Sequence, residues 1–335
     1  MNISRRNFLA SSVVLVADAD VSPVLPAAGF QKTGALGKCV GSLPPGRYDS
    51  HIHVMRGAPA PQKFRAALTR AGIAGGCVFS TRPDGWDMNT FPLPDPEKAM
   101  DDVIAWCSAS PTLYPFYWID PGRADALELV DRALEKGIYG FKVIRSDAPP
   151  CAGRALEVYR RIAAAGKPLT FHSGILWDGC ASSDNFRPAK WEPLLDVPHL
   201  RFALAHVSWP WTDECIAVYG KMLNAMVRRG ENVPEMFIDT TPGTPKIYRH
   251  EVLSRLFGVG YDVKDHVQFG ADCGTDDYNF SWVRDWMNTD YAIYAEIGLG
   301  AEARDSIYRK SLERYLFGGS GGRIVPTPDG TKISR

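Results

Sequence analysis

Short runs of β-branched and aromatic residues recur along this chain about every 30 residues, with longer amphipathic stretches between them. We count eight such runs, at 48–54, 76–80, 113–119, 140–144, 168–172, 201–206, 236–240 and 266–272. The stretches between them, such as 124–136 and 154–165, carry apolar residues at helical spacing and often end at glycine. Eight strand-then-helix units in sequence predict an α/β fold, a single-domain (β/α)8 TIM barrel in which every strand runs parallel.

Composition and charge exclude two classes of partner. The 335 residues include 38 Lys+Arg against 38 Asp+Glu, and 45% are hydrophobic. A net charge of zero, with no run of five like charges, offers no patch for nucleic acid or for an anionic membrane surface. No apolar stretch reaches the roughly 20 residues of a membrane-spanning helix. We therefore expect a protein that acts on a small molecule, and the sequence leaves a homodimer open.

The first thirty residues have the order of an export signal. Arg5 and Arg6 precede an apolar stretch at 13–17. The segment resembles a bacterial twin-arginine (Tat) signal peptide, which implies the Tat export machinery as a partner and a periplasmic or secreted protein. The alternative is a disordered N-terminus on a cytoplasmic protein, because Asp18 and Asp20 interrupt the apolar stretch. The predicted organisation is a signal peptide at 1–30, a linker at 31–46, the barrel at 47–318 and a C-terminal tail at 319–335.

Metal-binding residue types stand at the ends of predicted strands. His51 and His53 are two apart on the first strand, and side chains alternate along a strand, so both imidazoles point to the same side. The fifth, sixth and eighth strands end in His172, His206 and Asp272. In a parallel barrel these ends meet at the C-terminal face, where the active sites of such barrels lie. Imidazole and carboxylate suit zinc and several other divalent ions, so the sequence predicts a metal site there.

Four local motifs, in order on four predicted strands, resemble those of a known family. They are Gly-Phe-Lys-Val-Ile at 140–144, Phe-His-Ser-Gly at 171–174, Leu-Ala-His at 204–206 and Phe-Gly-Ala-Asp at 269–272. Together with the His-x-His pair of the first strand, they are similar to the amidohydrolase superfamily, in particular its Amidohydrolase 2 branch of metal-dependent TIM-barrel hydrolases and decarboxylases. The resemblance covers residues 47–318 and implies the same fold and a metal-dependent reaction.

Carried over residue by residue, the resemblance gives each strand-end group a role. It implies that His51, His53 and His172 are metal ligands and that Asp272 is a ligand that also accepts a proton. His206 would polarise the substrate or shuttle a proton. A divalent ion held this way lowers the pKa of a bound water toward about 7. We expect one Zn²⁺ per chain, with Mn²⁺ or another divalent ion as alternatives.

Lys142, on the fourth predicted strand, has two interpretations. In binuclear relatives a lysine on this strand is carboxylated and bridges two metal ions, whereas much of the Amidohydrolase 2 branch carries the same Gly-x-Lys motif with one metal. The alternative role of Lys142 is a structural ion pair near the mouth of the barrel. We expect one metal ion and therefore no bridging role.

Loops at the predicted active face carry candidate substrate-binding residues. A guanidinium there could pair with a substrate carboxylate, and aromatic rings could line a pocket for a planar or cyclic substrate. Each residue could equally be a solvated cation or part of the core. The candidates are Arg56, Arg82, Arg145, Trp86, Trp177 and Trp209.

Three functions remain open at this level. The first is a metal-dependent hydrolase that uses a metal-activated water on an amide, a lactone or a related C–N or C–O bond of a small substrate. The second is a nonoxidative decarboxylase or hydratase of a small aromatic or unsaturated acid, because the resemblance covers both chemistries. The third is a periplasmic metal- or ligand-binding protein without turnover. An acid such as Asp272 has little use in a pure binding site, which favours an enzyme.

Overall fold

The computed structural model describes residues 36–55, 58–82, 95–145, 147–230 and 232–319. The predicted signal peptide, the first part of the linker and almost all of the C-terminal tail lie outside these residues, as do Arg56 and Trp86. In the described part of the chain, no helix is both long and apolar enough to cross a membrane.

Nine parallel strand segments in the described residues form one curled sheet, in the order β8-β7-β6-β5-β4-β3-β2-β1-β9. Helices alternate with the strands, so the predicted (β/α)8 barrel is confirmed. The segments are β1 (Arg47–His53), β2 (Ile73–Phe79), β3 (Leu113–Trp118), β4 (Gly140–Val143), β5 (Leu169–Phe171), β6 (Arg201–Leu204), β7 (Glu235–Asp239), β8 (Val267–Gln268) and β9 (Cys273–Gly274).

The eighth predicted strand, 266–272, is not continuous, and that detail of the prediction is wrong. Its first part, β8, pairs with β7, whereas β9 pairs with β1. The link between them, residues 269–272, bonds to β1 through the Ser50 N–H to the Phe269 carbonyl at 2.9 Å and the Asp272 N–H to the His51 carbonyl at 3.0 Å. Just before β9, Asp272 has a left-handed φ of 57°, which no regular strand residue adopts. The link closes the barrel between its last and first strands.

Helices cover the outside of the sheet. Residues predicted as helical at 124–136 and 154–165 form α3 and α4. After β5 the connection is instead a 3₁₀ segment, Pro188–Asp196, in which Pro193 removes a backbone donor that an α-helix would need. The α-helices are α1 (Pro61–Ala71), α2 (Pro96–Cys107), α3 (Ala126–Glu135), α4 (Ala155–Ala164), α5 (Thr212–Arg229), α6 (Lys246–Gly258), α7 (Phe280–Glu296), α8 (Ala301–Asp305) and α9 (Ser311–Phe317).

The inside of the barrel is apolar at its N-terminal end. Tyr114, Phe116 and Phe237 fill the interior together with residues of α9. Tyr315 of α9 reaches up among the strands, where its hydroxyl lies 2.7 Å from the Thr170 hydroxyl. Leu316 packs in the same cluster. α9 therefore closes this end of the barrel.

Asp49 ties β1 to the link that closes the barrel. Its carboxylate is fully buried and accepts hydrogen bonds from the His51 N–H at 3.0 Å, the Ala271 N–H at 2.9 Å and the Tyr278 hydroxyl at 2.7 Å. Burial raises the pKa of Asp49 to about 7, although these donors oppose the shift. The neighbouring strand approaches so closely that a Cβ on Gly76 would lie 1.8 Å from the Asp49 carbonyl oxygen.

Replacing Asp49 should therefore weaken barrel closure. In Asp49→Ala two backbone N–H groups and a tyrosine hydroxyl lose their acceptor inside the protein, and we expect the free energy of unfolding to fall by about 3 kcal/mol. Urea unfolding followed by circular dichroism measures this value. The control is Asp101→Ala, which removes an exposed acid that pairs with Lys136 on the surface. Equal stability of the two variants would contradict the closing role of Asp49.

Candidate metal centre

Three of the predicted ligands converge at the C-terminal end of the barrel. His53 Nε2 lies 3.2 Å from an Asp272 carboxylate oxygen, and His51 Nε2 lies 3.7 Å from the same oxygen. One ligand atom from each residue lies within 4.8 Å of the other two. The His51 side chain is 1% exposed, whereas that of Asp272 is 37% exposed. The donors thus surround one point at the C-terminal end of the barrel, and we call the space among His51, His53 and Asp272 the pit.

The local backbone explains how Asp272 reaches this point. The left-handed φ of Asp272 turns its side chain toward the histidines of β1. Asp is among the few residue types that adopt this conformation at low cost. Two residues earlier, a Cβ on Gly270 would lie 2.7 Å from the His51 Cβ and 2.3 Å from the Thr241 hydroxyl oxygen. Glycine at 270 therefore lets the link pass directly behind His51.

His172 and His206 complete the ring of imidazoles. The His206 ring centre lies 5.3 Å from that of His51 and 4.9 Å from that of His172. His172 Nε2 is buried and has no hydrogen-bond partner among the described residues. Buried ring nitrogens are normally paired, so this one is a ready donor for a metal ion or a bound molecule. The structure thus brings all five predicted strand-end residues into one pit.

Asp239 is a residue of this candidate site that the sequence analysis missed. Its Oδ2 lies 2.5 Å from His51 Nδ1, and its Oδ1 accepts the Thr241 N–H at 2.7 Å and also the Thr241 hydroxyl. A carboxylate at this position accepts a hydrogen bond from the His51 Nδ1–H. The Nε2 lone pair of His51 is then directed at the pit. The available signal was an acid at the end of the seventh predicted strand, the same signal that identified Asp272 on the eighth.

Lys142 lies inside the pit. Its Nζ is 3.3 Å from His51 Nε2 and 4.8 Å from the centre of the Phe79 ring, and its side chain is fully buried. Burial lowers the pKa of Lys142 to about 7, against the opposing charges of Asp239 and Asp272. These contacts place the Lys142 ammonium against the rings of His51 and Phe79. The structural ion pair predicted as one role of Lys142 would instead require a contact with a carboxylate.

The protonation states in the pit suit metal binding. Burial lowers the pKa of His51, His53, His172 and His206, which keeps these imidazoles neutral and their lone pairs available. Burial alone would raise the pKa of Asp272, but the hydrogen bond with His53 and the nearby imidazoles outweigh it and hold the pKa below its usual range. Neutral imidazoles beside one ionised carboxylate are a donor set that fits a divalent ion such as Zn²⁺.

His206 is held by an unusual backbone. His206, Val207 and Ser208 have left-handed φ values of 61°, 44° and 54°, which is rare for a β-branched residue such as Val207. The Ser173 hydroxyl donates to the Ser208 hydroxyl at 2.6 Å and braces this turn. A Cβ on Gly243 would lie 2.7 Å from the His206 Cβ, so glycine leaves room for the imidazole. Strain of this kind is typical of functional sites, where it fixes a side chain.

The candidate substrate-binding residues differ in their placement. The Arg82 guanidinium lies 4.9 Å from the ring centre of Trp118, whereas Arg145 pairs with Asp147 at 3.1 Å. The Trp177 side chain is 70% exposed. Trp209 stacks on Tyr248 with 5.8 Å between ring centres. Of these four, Arg82 lies nearest to a predicted metal ligand by way of an aromatic ring, because the ring centre of Trp118 lies 5.3 Å from that of His53.

Comparison with solved structures supports the fold class. No protein-family model and no curated protein matches the chain. A Staphylococcus aureus protein named provisionally as an amidohydrolase is 11% identical, with a TM-score of 0.52 over 81% of this chain and 99% of that chain. Amidohydrolase 2 from Bifidobacterium longum subsp. infantis is 15% identical, with a TM-score of 0.47 over 81% of this chain and 97% of that chain. Campylobacter jejuni dihydroorotase is 13% identical, with a TM-score of 0.46 over 81% of this chain and 80% of that chain.

The similarity to the Staphylococcus aureus protein, at 11% identity and a TM-score of 0.52, is one of fold alone. The chain is a (β/α)8 barrel, and its C-terminal end holds a histidine and aspartate group that could bind a metal ion.

The contact between Asp239 and His51 predicts an effect on metal affinity. Asp239→Asn replaces the carboxylate that orients His51, and we expect the Kd for Zn²⁺ to rise about 10- to 100-fold. Competition with a chromophoric chelator measures this Kd. The matched control is Asp147→Asn, which changes an exposed acid that follows β4 and pairs with Arg145. If both variants bind Zn²⁺ as tightly as the unaltered protein, Asp239 does not position the ligand.

Proposed function

We propose that this protein is a metal-dependent hydrolase that cleaves an amide, a lactone or a related C–N or C–O bond of a small substrate. The observation that carries the proposal is the convergence of His51, His53 and Asp272 within 4.8 Å at the C-terminal end of the barrel. The unpartnered buried nitrogen of His172 and the general location of active sites in such barrels support it.

His51, His53, His172 and Asp272 would hold one divalent ion. When bound, the ion would supply an activated water at neutral pH and polarise a substrate carbonyl. Asp239 keeps His51 in the tautomer that binds. We propose Zn²⁺ as this ion because neutral imidazoles and a carboxylate are its usual ligands, and Mn²⁺ is the first alternative.

Asp272 and His206 would move and stabilise charge during the reaction. Asp272 is partly exposed beside His53, so its carboxylate can take a proton from the attacking water and pass it to the leaving nitrogen or oxygen. The water oxygen forms a new bond to the carbonyl carbon, and the C–N or C–O bond breaks. His206 lies beside His51 and His172, where it can stabilise the negative charge that develops on the carbonyl oxygen.

Metal content and three variants test this mechanism. Protein purified without chelator should contain about one divalent ion per chain. Asp272→Asn should keep most of the metal and lose about 10²- to 10⁴-fold in turnover, because it removes the proton acceptor. His51→Asn should lose both metal and activity. The control is His250→Asn, a surface histidine of α6 that pairs with Glu296.

The assay is a panel of amides and lactones scored for new carboxylate, with small aromatic acids scored for carbon dioxide. Carbon dioxide release alone would identify a decarboxylase instead. Full activity without metal, or Asp272→Asn turnover within threefold of the unaltered protein, would contradict the mechanism. Two ions per chain would instead support a carboxylated Lys142.

Gly243 provides a further test of the role of His206. In Gly243→Ala the new methyl group would lie 2.7 to 2.9 Å from the His206 Cβ, Cγ and Nδ1, so the imidazole must shift. We expect turnover to fall about 100-fold, the cost of a misplacement of about 1 Å, while metal content is unchanged. The control is Gly258→Ala at the end of α6, where the added Cβ meets open space. Unchanged turnover in Gly243→Ala would argue against a catalytic His206.

A further inference from the structure

The side chain of Trp282 reaches back from α7 to the link that carries Asp272. Its indole N–H donates to the Ala271 carbonyl at 3.1 Å, and Ala271 directly precedes Asp272. Trp282 lies in the first turn of α7, where its own backbone N–H donates to the side-chain oxygen of Asn279 at 3.1 Å. Because this cap fixes where the helix begins, it also fixes the place from which the indole reaches the link.

The indole holds one end of the peptide group that joins Ala271 to Asp272. The carbonyl of this group accepts from Trp282, and its N–H, that of Asp272, donates to the His51 carbonyl at 3.0 Å. The preceding N–H, that of Ala271, donates to the Asp49 carboxylate at 2.9 Å. A left-handed φ such as the 57° of Asp272 is disfavoured in a free chain and persists where the surrounding bonds hold it. Of these three bonds, the one from Trp282 comes from a helix rather than from β1.

Trp286, one turn further along α7, provides the contrast. Its ring centre lies 5.6 Å from that of Trp282, and its side chain is 3% exposed, against 37% for Trp282. The Trp286 Nε1 has no hydrogen-bond partner among the described residues. The two neighbouring indoles therefore differ in one respect that matters here, since only the more exposed one donates to the link.

We propose that Trp282 is a positioning residue for the metal centre, because its indole N–H holds the Ala271 carbonyl and thereby the Asp272 carboxylate. The inference rests on the proposed function, since it takes Asp272 as a metal ligand. Without the donor, the peptide group before Asp272 can rotate. The carboxylate then leaves the position in which its oxygen lies 3.2 Å from His53 Nε2. Groups that orient a metal ligand typically change metal affinity about 10- to 100-fold.

Three variants separate this role from packing. Trp282→Phe removes the N–H together with part of the ring. Replacement of Trp282 by benzothienylalanine keeps two fused rings and removes only the donor, because sulfur stands in place of the N–H. Trp286→Phe is the control, since it removes the same atoms from a more buried ring that makes no hydrogen bond to the described residues.

Two measurements follow the ligand and the backbone separately. Competition with a chromophoric chelator gives the Kd for Zn²⁺. Hydrogen exchange of the metal-free protein, read by mass spectrometry on a peptide that spans 269–274, reports how firmly the link is held. Both variants at 282 should raise the Kd about 10-fold or more and exchange faster in this peptide than the unaltered protein. Trp286→Phe should change neither quantity, although it should lower the urea midpoint of unfolding at least as much as Trp282→Phe.

Unchanged Zn²⁺ affinity and unchanged exchange in the benzothienylalanine variant would overturn the role of Trp282 and leave the metal site intact. Faster exchange with an unchanged Kd would also overturn it, because the bond would then hold the backbone without affecting the ligand. Equal losses of Zn²⁺ affinity in Trp282→Phe and Trp286→Phe would show that packing alone is responsible. Failure of the unaltered protein to bind Zn²⁺ would instead contradict the proposed function and, with it, this inference.

Discussion

Closure of the barrel through residues 269–272 is the constraint on which the candidate site depends. The link bonds to Ser50 and His51 of β1, and Asp49 accepts a further N–H from it. The same four residues deliver Asp272 to the imidazoles of β1. One set of backbone hydrogen bonds therefore both closes the sheet and aligns β1 with the segment that carries Asp272.

Burial determines the chemistry of the pit. Desolvation penalises charged imidazoles, so the four histidines remain neutral at a place where they are close together. The hydrogen bond with His53 and the nearby imidazoles outweigh burial and hold the pKa of Asp272 below its usual range, so its carboxylate stays ionised. Neutral donors beside one anion attract a divalent ion far more strongly than separate surface groups would, since the charges interact through the low-polarity interior.

Several residues act by holding others in place. Asp239 fixes His51 from behind, and the Thr241 backbone and hydroxyl fix Asp239 in turn. The strained turn at 206–208 places His206 in the space that the missing side chain of Gly243 leaves open. Such support restricts each imidazole to one orientation, which metal binding and proton transfer both require.

The amino-acid sequence by itself determined the fold class and the strand-end positions of His51, His53, His172, His206 and Asp272. Both follow from local periodicity, because side-chain alternation and the strand-then-helix repeat are properties of neighbouring residues. Only the tertiary structure showed that Asp239 contacts His51 and that the eighth strand is split. It also showed that Arg82 lies against the Trp118 ring, whereas Arg145 pairs with Asp147. Asp239 and His51 are 188 residues apart, so no local pattern links them. Their contact exists because closing the barrel brings the Asp239 side chain at the end of β7, and the link, next to His51 of β1.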